Sequence, residues 1–133
     1  MEGLAQYIQS ILTLGAILYK RRGLGSAPLG DYMKIYQTKK WLRVRSRILR
    51  RDGYQCQLTK RYGKMRQADT VHHIFPVELF PEYTWEEWNL ISLSNKMHNA
   101  CHDRDTHELS AMGIDLLKRT ARKRGMEIPE RYR

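Results

Sequence analysis

Four of the five histidines in this 133-residue chain fall in two tight groups, His72-His73 and His98 with His102. The fifth, His107, lies just beyond. Neutral imidazole is a good ligand for divalent transition metals. His98 and His102 are four apart on an expected helix, so both face one side about one turn apart, and two rings can reach one ion. His72 and His73 are neighbours on an expected strand and point in roughly opposite directions. They are suited to different jobs, one binding metal while the other faces substrate. Taken singly, each histidine is weak evidence, because a lone histidine is more often surface or satisfied core. The ordered set is far more specific: His-His before Pro76, then Asn89 at a strand start, then His-x-x-x-His on the next helix.

The charge balance points to the substrate. Lys plus Arg is 24 against 14 Asp plus Glu, a formal net charge of +10, with a sequence pI near 9.9. Such a chain is attracted to polyanions, of which nucleic acid is the commonest. Between Lys34 and Arg51 there are eight basic residues and no acid. A run of one sign repels itself until a counter-charge arrives, so it reads as a phosphate-tracking face as well as a solvated one. Lys39, Lys40, Arg43, Arg45, Arg47, Arg50 and Arg51 are its candidate contacts. Arg119, Arg122 and Lys123 form a second basic stretch. Cys56 and Cys101 are the only cysteines, too few for a disulfide framework, and an intracellular setting is the simpler reading.

Positioning these groups requires a short set of elements. The length suits one modest core. Residues 1–22 read as an amphipathic helix, diluted by polar residues below what a spanning helix needs. Residues 23–33 read as a Gly-rich linker. Residues 34–124 form the body and 125–133 an irregular tail. Within the body, Trp41, Val44, Ile48 and Leu49 share a face of an expected helix over 38–51, capped by Thr38 and stopped near Gly53. Residues 56–66 read as loop. Thr70, Val71 and Ile74 mark a short strand around the paired histidines, and Leu90, Ile91 and Leu93 a second. Asn95 can cap a helix running to about residue 103, and another helix follows over about 108–124. The order is strand, loop, strand, helix, an α+β arrangement that is mostly α.

The sequence resembles the HNH endonucleases common in bacteriophages, from about Trp41 to about Arg119. The marks are Trp41-Leu42-x-Val44-Arg45, Arg51-Asp52-Gly53-Tyr54-x-Cys56-Gln57-Leu58, Ala68-Asp69-x-Val71-His72-His73-Ile74, Asn89-Leu90-Ile91-Ser92-Leu93 and His98-Asn99-x-x-His102-Asp103. The resemblance implies a ββα-metal (His-Me) finger with flanking helices, gripping one divalent ion (Mg2+, Mn2+, Ni2+ or Zn2+). It implies that His72 and His98 ligate the ion, with His102 a third ligand as in colicin-like members. It makes His73 the general base and Asn89 the residue that orients that base through its loop. It further implies DNA as substrate and cleavage to a 5′-phosphate and 3′-hydroxyl. Relatives of this kind act beside phage terminase and portal proteins, in the bacterial host cytoplasm, while others are homing or restriction enzymes, and the residues do not choose between these settings.

The chain departs from many phage members in one respect. Their structural zinc is held by two Cys-x-x-Cys pairs, and here the pairs read Cys56-x-x-Thr59 and Ser94-x-x-Met97. Thr, Ser and Met are poor zinc ligands, so no structural zinc is expected, and Leu58 and Met97 should pack in its place. Two other readings stay open at this level. One is a catalytically inactive HNH scaffold that binds DNA. The other is a zinc-finger-like structural or RNA-binding protein using Cys56 with histidines.

Overall fold

A computed structural model of the chain describes residues 34–133. The expected N-terminal helix and linker, residues 1–22 and 23–33, lie outside the described residues. Helix α1 spans Lys39–Arg51, and Thr38 caps it by accepting a hydrogen bond from the Trp41 amide at 3.1 Å. It buries Trp41, Val44, Ile48 and Leu49, the apolar stripe of the sequence. Gly53 and Tyr54 then take positive φ values of 63° and 58°, which turns the chain sharply out of the helix.

Residues 56–66 are not all loop. A short helix α2, Gln57–Arg61, buries Leu58 and Thr59. Leu58 is its one apolar residue, so no period can be read. Strand β1, Thr70–His73, pairs antiparallel with β2, Leu90–Leu93. The register sets Thr70 against Leu93, Val71 against Ser92, His72 against Ile91 and His73 against Leu90. Between the strands lie two 3-10 turns, Pro81–Tyr83 and Glu87–Asn89. Helix α3 spans Asn95–Ala100 and α4 spans Ala111–Lys123.

Two caps differ from the sequence reading. Ser94, not Asn95, caps α3, accepting from the Met97 amide at 3.3 Å. Helix α3 also stops at Ala100 rather than near residue 103, with Cys101 as its C-cap. Ser and Asn are nearly equal N-cap residues, so the sequence cannot choose between adjacent ones.

A two-stranded sheet is marginal alone, and here each face has its own apolar cover. Trp41, Val44, Ile48 and Leu49 of α1 pack with Val71, Leu90 and Ala68 on one face. Ile74, Phe75 and Leu93 pack with Leu116, Leu117 and Ala121 of α4 and with both cysteines in a second cluster. The tail joins that cluster through Met126, Ile128 and Tyr132, ending in a 3-10 turn at Glu130–Tyr132. The outer edge of β2 is closed by side chains. Asp52 accepts from the Ser92 amide at 3.0 Å, while Arg51 donates to the Leu90 and Glu87 carbonyls at 2.6 and 2.7 Å. This edge is thereby satisfied without a third strand.

Candidate metal centre and base

Alternation along β1 separates the two neighbouring histidines. His72 shares its face with Ile91 and Leu93, and its ring meets those of His98 and His102 at centroid distances of 5.3 and 5.2 Å. The His98 and His102 rings lie 4.8 Å apart. One ring nitrogen from each of the three can be chosen so that all lie within 4.8 Å of one another. His98 sits on α3. His102 does not, because the helix has already ended. An isolated antiparallel bridge to Leu109 holds its backbone instead, and its Nδ1 bonds the His107 carbonyl at 3.2 Å. A carbonyl only accepts, so this bond fixes the proton on Nδ1 and leaves Nε2 as the donor atom for a ligand. His107 reaches this position with φ at 59°.

The electrostatics suit a cation. His72 is 1% exposed, and its Nε2 is buried with no hydrogen-bond partner among the described residues. Burial, then the neighbouring His102, His98 and His73, hold its pKa well below the usual imidazole value. Burial and the charges of His102 and His73 push His98 down to about 3. Burial also lowers His102, against the bond to the His107 carbonyl. All three rings are therefore neutral at pH 7, with lone pairs available. An orphaned buried nitrogen among three neutral imidazoles is a donor set that fits one divalent metal ion.

His73 occupies the opposite face. Its ring stacks on Trp41 at 5.4 Å with an interplanar angle of 20°. Its Nε2 lies 3.0 Å from the Thr84 carbonyl, which can only accept, so Nε2 carries the proton and Nδ1 carries the lone pair. The Tyr36 hydroxyl stands 3.3 Å from that Nδ1. Burial lowers His73 to about 4, opposed by the bond to Thr84.

Asn89 is fully buried and ties the intervening loop together. It accepts from the Phe75 amide at 2.7 Å and donates to the Phe75 and Tyr83 carbonyls, both at 3.1 Å. Tyr83 adjoins Thr84, so Asn89 sets the carbonyl that orients His73. Tyr36, Thr84 and His107 carry no motif in the sequence, since two act through backbone carbonyls that any residue supplies.

The basic residues divide by what they touch. Arg51 is committed to Asp52, Glu87 and Leu90. Arg45 donates to the Asp69 carbonyl at 2.8 Å, Arg47 pairs with Glu87 at 3.2 Å, and Arg119 pairs with Asp115 at 2.8 Å. Lys40 lies 4.2 Å over the Trp85 ring. Lys39, Arg43, Arg50, Arg122 and Lys123 are exposed. At Cys56-x-x-Thr59 and Ser94-x-x-Met97, Thr59 donates to the Cys56 sulfur at 3.1 Å, and Leu58 and Met97 pack into the same cluster as Cys56.

Two short antiparallel strands, a helix and the turn that follows it bring three histidines together, and this arrangement defines a ββα-metal finger. The chain belongs to the HNH endonuclease family. Among solved structures it is similar to the HNH endonuclease of the deep-sea thermophilic bacteriophage GVE2, determined with a manganese ion. The two share 30% sequence identity over 52% of this chain and 75% of the other, with a TM-score of 0.51. No family model matches the chain, and no curated protein matches it.

Proposed function

We propose that the chain is a metal-dependent DNA endonuclease in which His72, His98 and His102 hold one divalent ion and His73 is the general base. The observation that carries this reading is the division of labour along β1. One histidine joins a neutral three-imidazole cluster, and its neighbour turns away with a defined tautomer and its lone pair on Nδ1. When bound, the ion offsets negative charge developing on the phosphate and leaving oxygens.

The remaining steps belong to the chain. His73, neutral at pH 7, takes a proton from the attacking water at Nδ1, with Nε2 anchored on Thr84. That water must displace the Tyr36 hydroxyl, which stands where its oxygen belongs. Asn89 holds the loop that aligns the base. Lys39, Lys40, Arg43, Arg50, Arg122 and Lys123 hold flanking phosphates, with Arg45, Arg47 and Arg119 contributing once their intramolecular partners are exchanged. Arg51 contributes mainly by fixing the sheet edge. The manganese in the GVE2 enzyme supports a divalent ion of the Mg2+, Mn2+, Ni2+ or Zn2+ group. The resemblance to phage enzymes favours a role in packaging or processing phage DNA beside terminase and portal proteins.

The test is plasmid cleavage with Mg2+, Mn2+ or Ni2+, with chelator as control. Supercoiled DNA should become nicked or linear. His73→Ala should lose on the order of 10²–10⁴ in rate. Equal activity in that variant refutes the base assignment. Tight DNA binding without cleavage under any metal would favour an inactive DNA-binding scaffold.

A further inference from the structure

The turn that follows α2 carries an unused combination of charge and apolar surface. Every residue from Lys60 to Gln67 is exposed. Four of them, Lys60, Arg61, Lys64 and Arg66, are cations, and none is an acid. None of the four has a side-chain hydrogen bond or ion pair among the described residues. Between them stand two of the most exposed large apolar side chains, Met65 at 80% and Tyr62 at 65%, with Tyr54 at 52% beside the base of the turn.

The backbone beneath these side chains is tightly tied. Tyr62 and Lys64 both donate to the Thr59 carbonyl, at 3.1 and 3.2 Å, and Gly63 donates to Lys60 at 2.9 Å. Gly63 takes φ at 77°, which a side chain would resist. At the base, Cys56 donates to the Arg66 carbonyl and Ala68 to the Tyr54 carbonyl, both at 2.8 Å, and Gln55 bridges Gln67. Buried Leu58 and Thr59 anchor the helix beneath. A turn fixed this way loses little entropy on binding.

We propose that the Lys60–Arg66 turn is a second DNA contact, which grips the duplex through residues separate from the histidine site. The four cations take backbone phosphates, and Tyr62 and Met65 enter the minor groove as an apolar wedge. Charge complementarity selects the occupant. Four cations with no partner among the described residues, and no acid between them, would repel another copy of this chain, whose net charge is +10, and they suit a polyanion. Apolar side chains set among phosphate-binding cations are the means by which proteins enter and bend the minor groove. The inference rests on the nuclease reading for its ligand but on different residues.

The experiment measures binding of a fluorescein-labelled 30-bp duplex by anisotropy, with the full chain in chelator so that no cutting occurs, across a salt series. Lys60→Ala/Lys64→Ala should flatten the salt dependence by about 1.8 log units per log unit of salt, at about 0.9 for each phosphate no longer neutralised. Tyr62→Ala/Met65→Ala should weaken binding about tenfold or more with the salt slope unchanged. Both variants should melt like the parent, because the replaced side chains are exposed. Parent-like binding by both variants while the parent binds and cuts overturns this inference and leaves the nuclease reading standing. A parent that sediments as a dimer which the apolar variant dissociates also overturns it. A parent that binds but never cuts, with both variants weakened as stated, supports this contact and removes the nuclease reading.

Discussion

At the scale of single residues, His73, the base proposed above, is governed by three contacts that differ in kind. Thr84 fixes the tautomer of His73, Trp41 fixes the ring plane, and Tyr36 covers the lone pair. A donor on the lone pair weakens a base, so Tyr36→Phe should raise single-turnover cleavage by a few-fold, within the range a positioned base commands. A tenfold fall in quench-flow measurements would show that the hydroxyl instead helps hold the water. Asn89 acts one step further out. Its three buried hydrogen bonds join both ends of the loop, and Asn89→Ala leaves their partners unsatisfied, at a cost of about 2–3 kcal/mol. A melting temperature equal to the parent's would contradict that role.

At the scale of elements, the placement of His102 depends on how α4 meets the end of α3. Ser110 donates its amide to the Cys101 carbonyl at 2.9 Å, and its hydroxyl bonds the Ala100 carbonyl. Gly113 completes the contact. A Cβ there would run into the Cys101 carbonyl oxygen and crowd the Leu109 side chain. Backbone cannot swing aside as a flexible side chain can, so Gly113→Ala should destabilise the fold by about 1–3 kcal/mol. It should also loosen the turn carrying His102 and weaken Mn2+ binding, measurable by calorimetry. Unchanged metal affinity together with a lowered melting temperature would separate the packing role from the site. Arg51 and Asp52 are the corresponding brace at the other side of the sheet, holding the end of α1 to β2.

At the scale of the whole molecule, the buried histidines couple stability to pH. The metal-free fold holds His73 at about 4 and His98 at about 3, while the unfolded chain titrates near 6.5. The unfolded state therefore binds more protons as pH drops below about 6.5, and each such group removes about 1.4 kcal/mol per pH unit until its folded pKa is reached. Stability from these groups is complete above the unfolded value and is lost towards acid. Glu78 runs the other way: burial raises it to about 7, so its share declines as pH rises from the ordinary carboxylate range to about 7. Four lowered histidines outnumber one raised carboxyl, and stability of the metal-free protein should peak near neutrality and fall steeply below it. A flat melting temperature from pH 7 to 5 would contradict the burial of these rings. Saturating Mn2+, at about a hundred times its Kd, should stabilise the fold by about 2.7 kcal/mol, and His98→Ala should abolish that gain.

Much of this was legible along the chain. The Trp41–Leu49 stripe defined α1 because period and cap coincide, and the paired strands followed from β-rich runs bounded by Pro76 and by Asn89. The opposite facing of His72 and His73 is a local property of extended backbone, so adjacency alone determined it. Chain order also fixed the histidine set and its family. Tertiary structure decided what local rules cannot reach. Helix α3 ends before His102, so a bridge to Leu109 and the His107 carbonyl, not helical spacing, bring that ring to the cluster. Arg51 lies in a basic run yet serves the fold, because its carbonyl partners arrive from 36 and 39 residues away. Tyr36 and Thr84 meet His73 across separations of 37 and 11 residues. A side chain's direction follows from its neighbours in sequence, whereas its partners depend on which distant segments the core draws together.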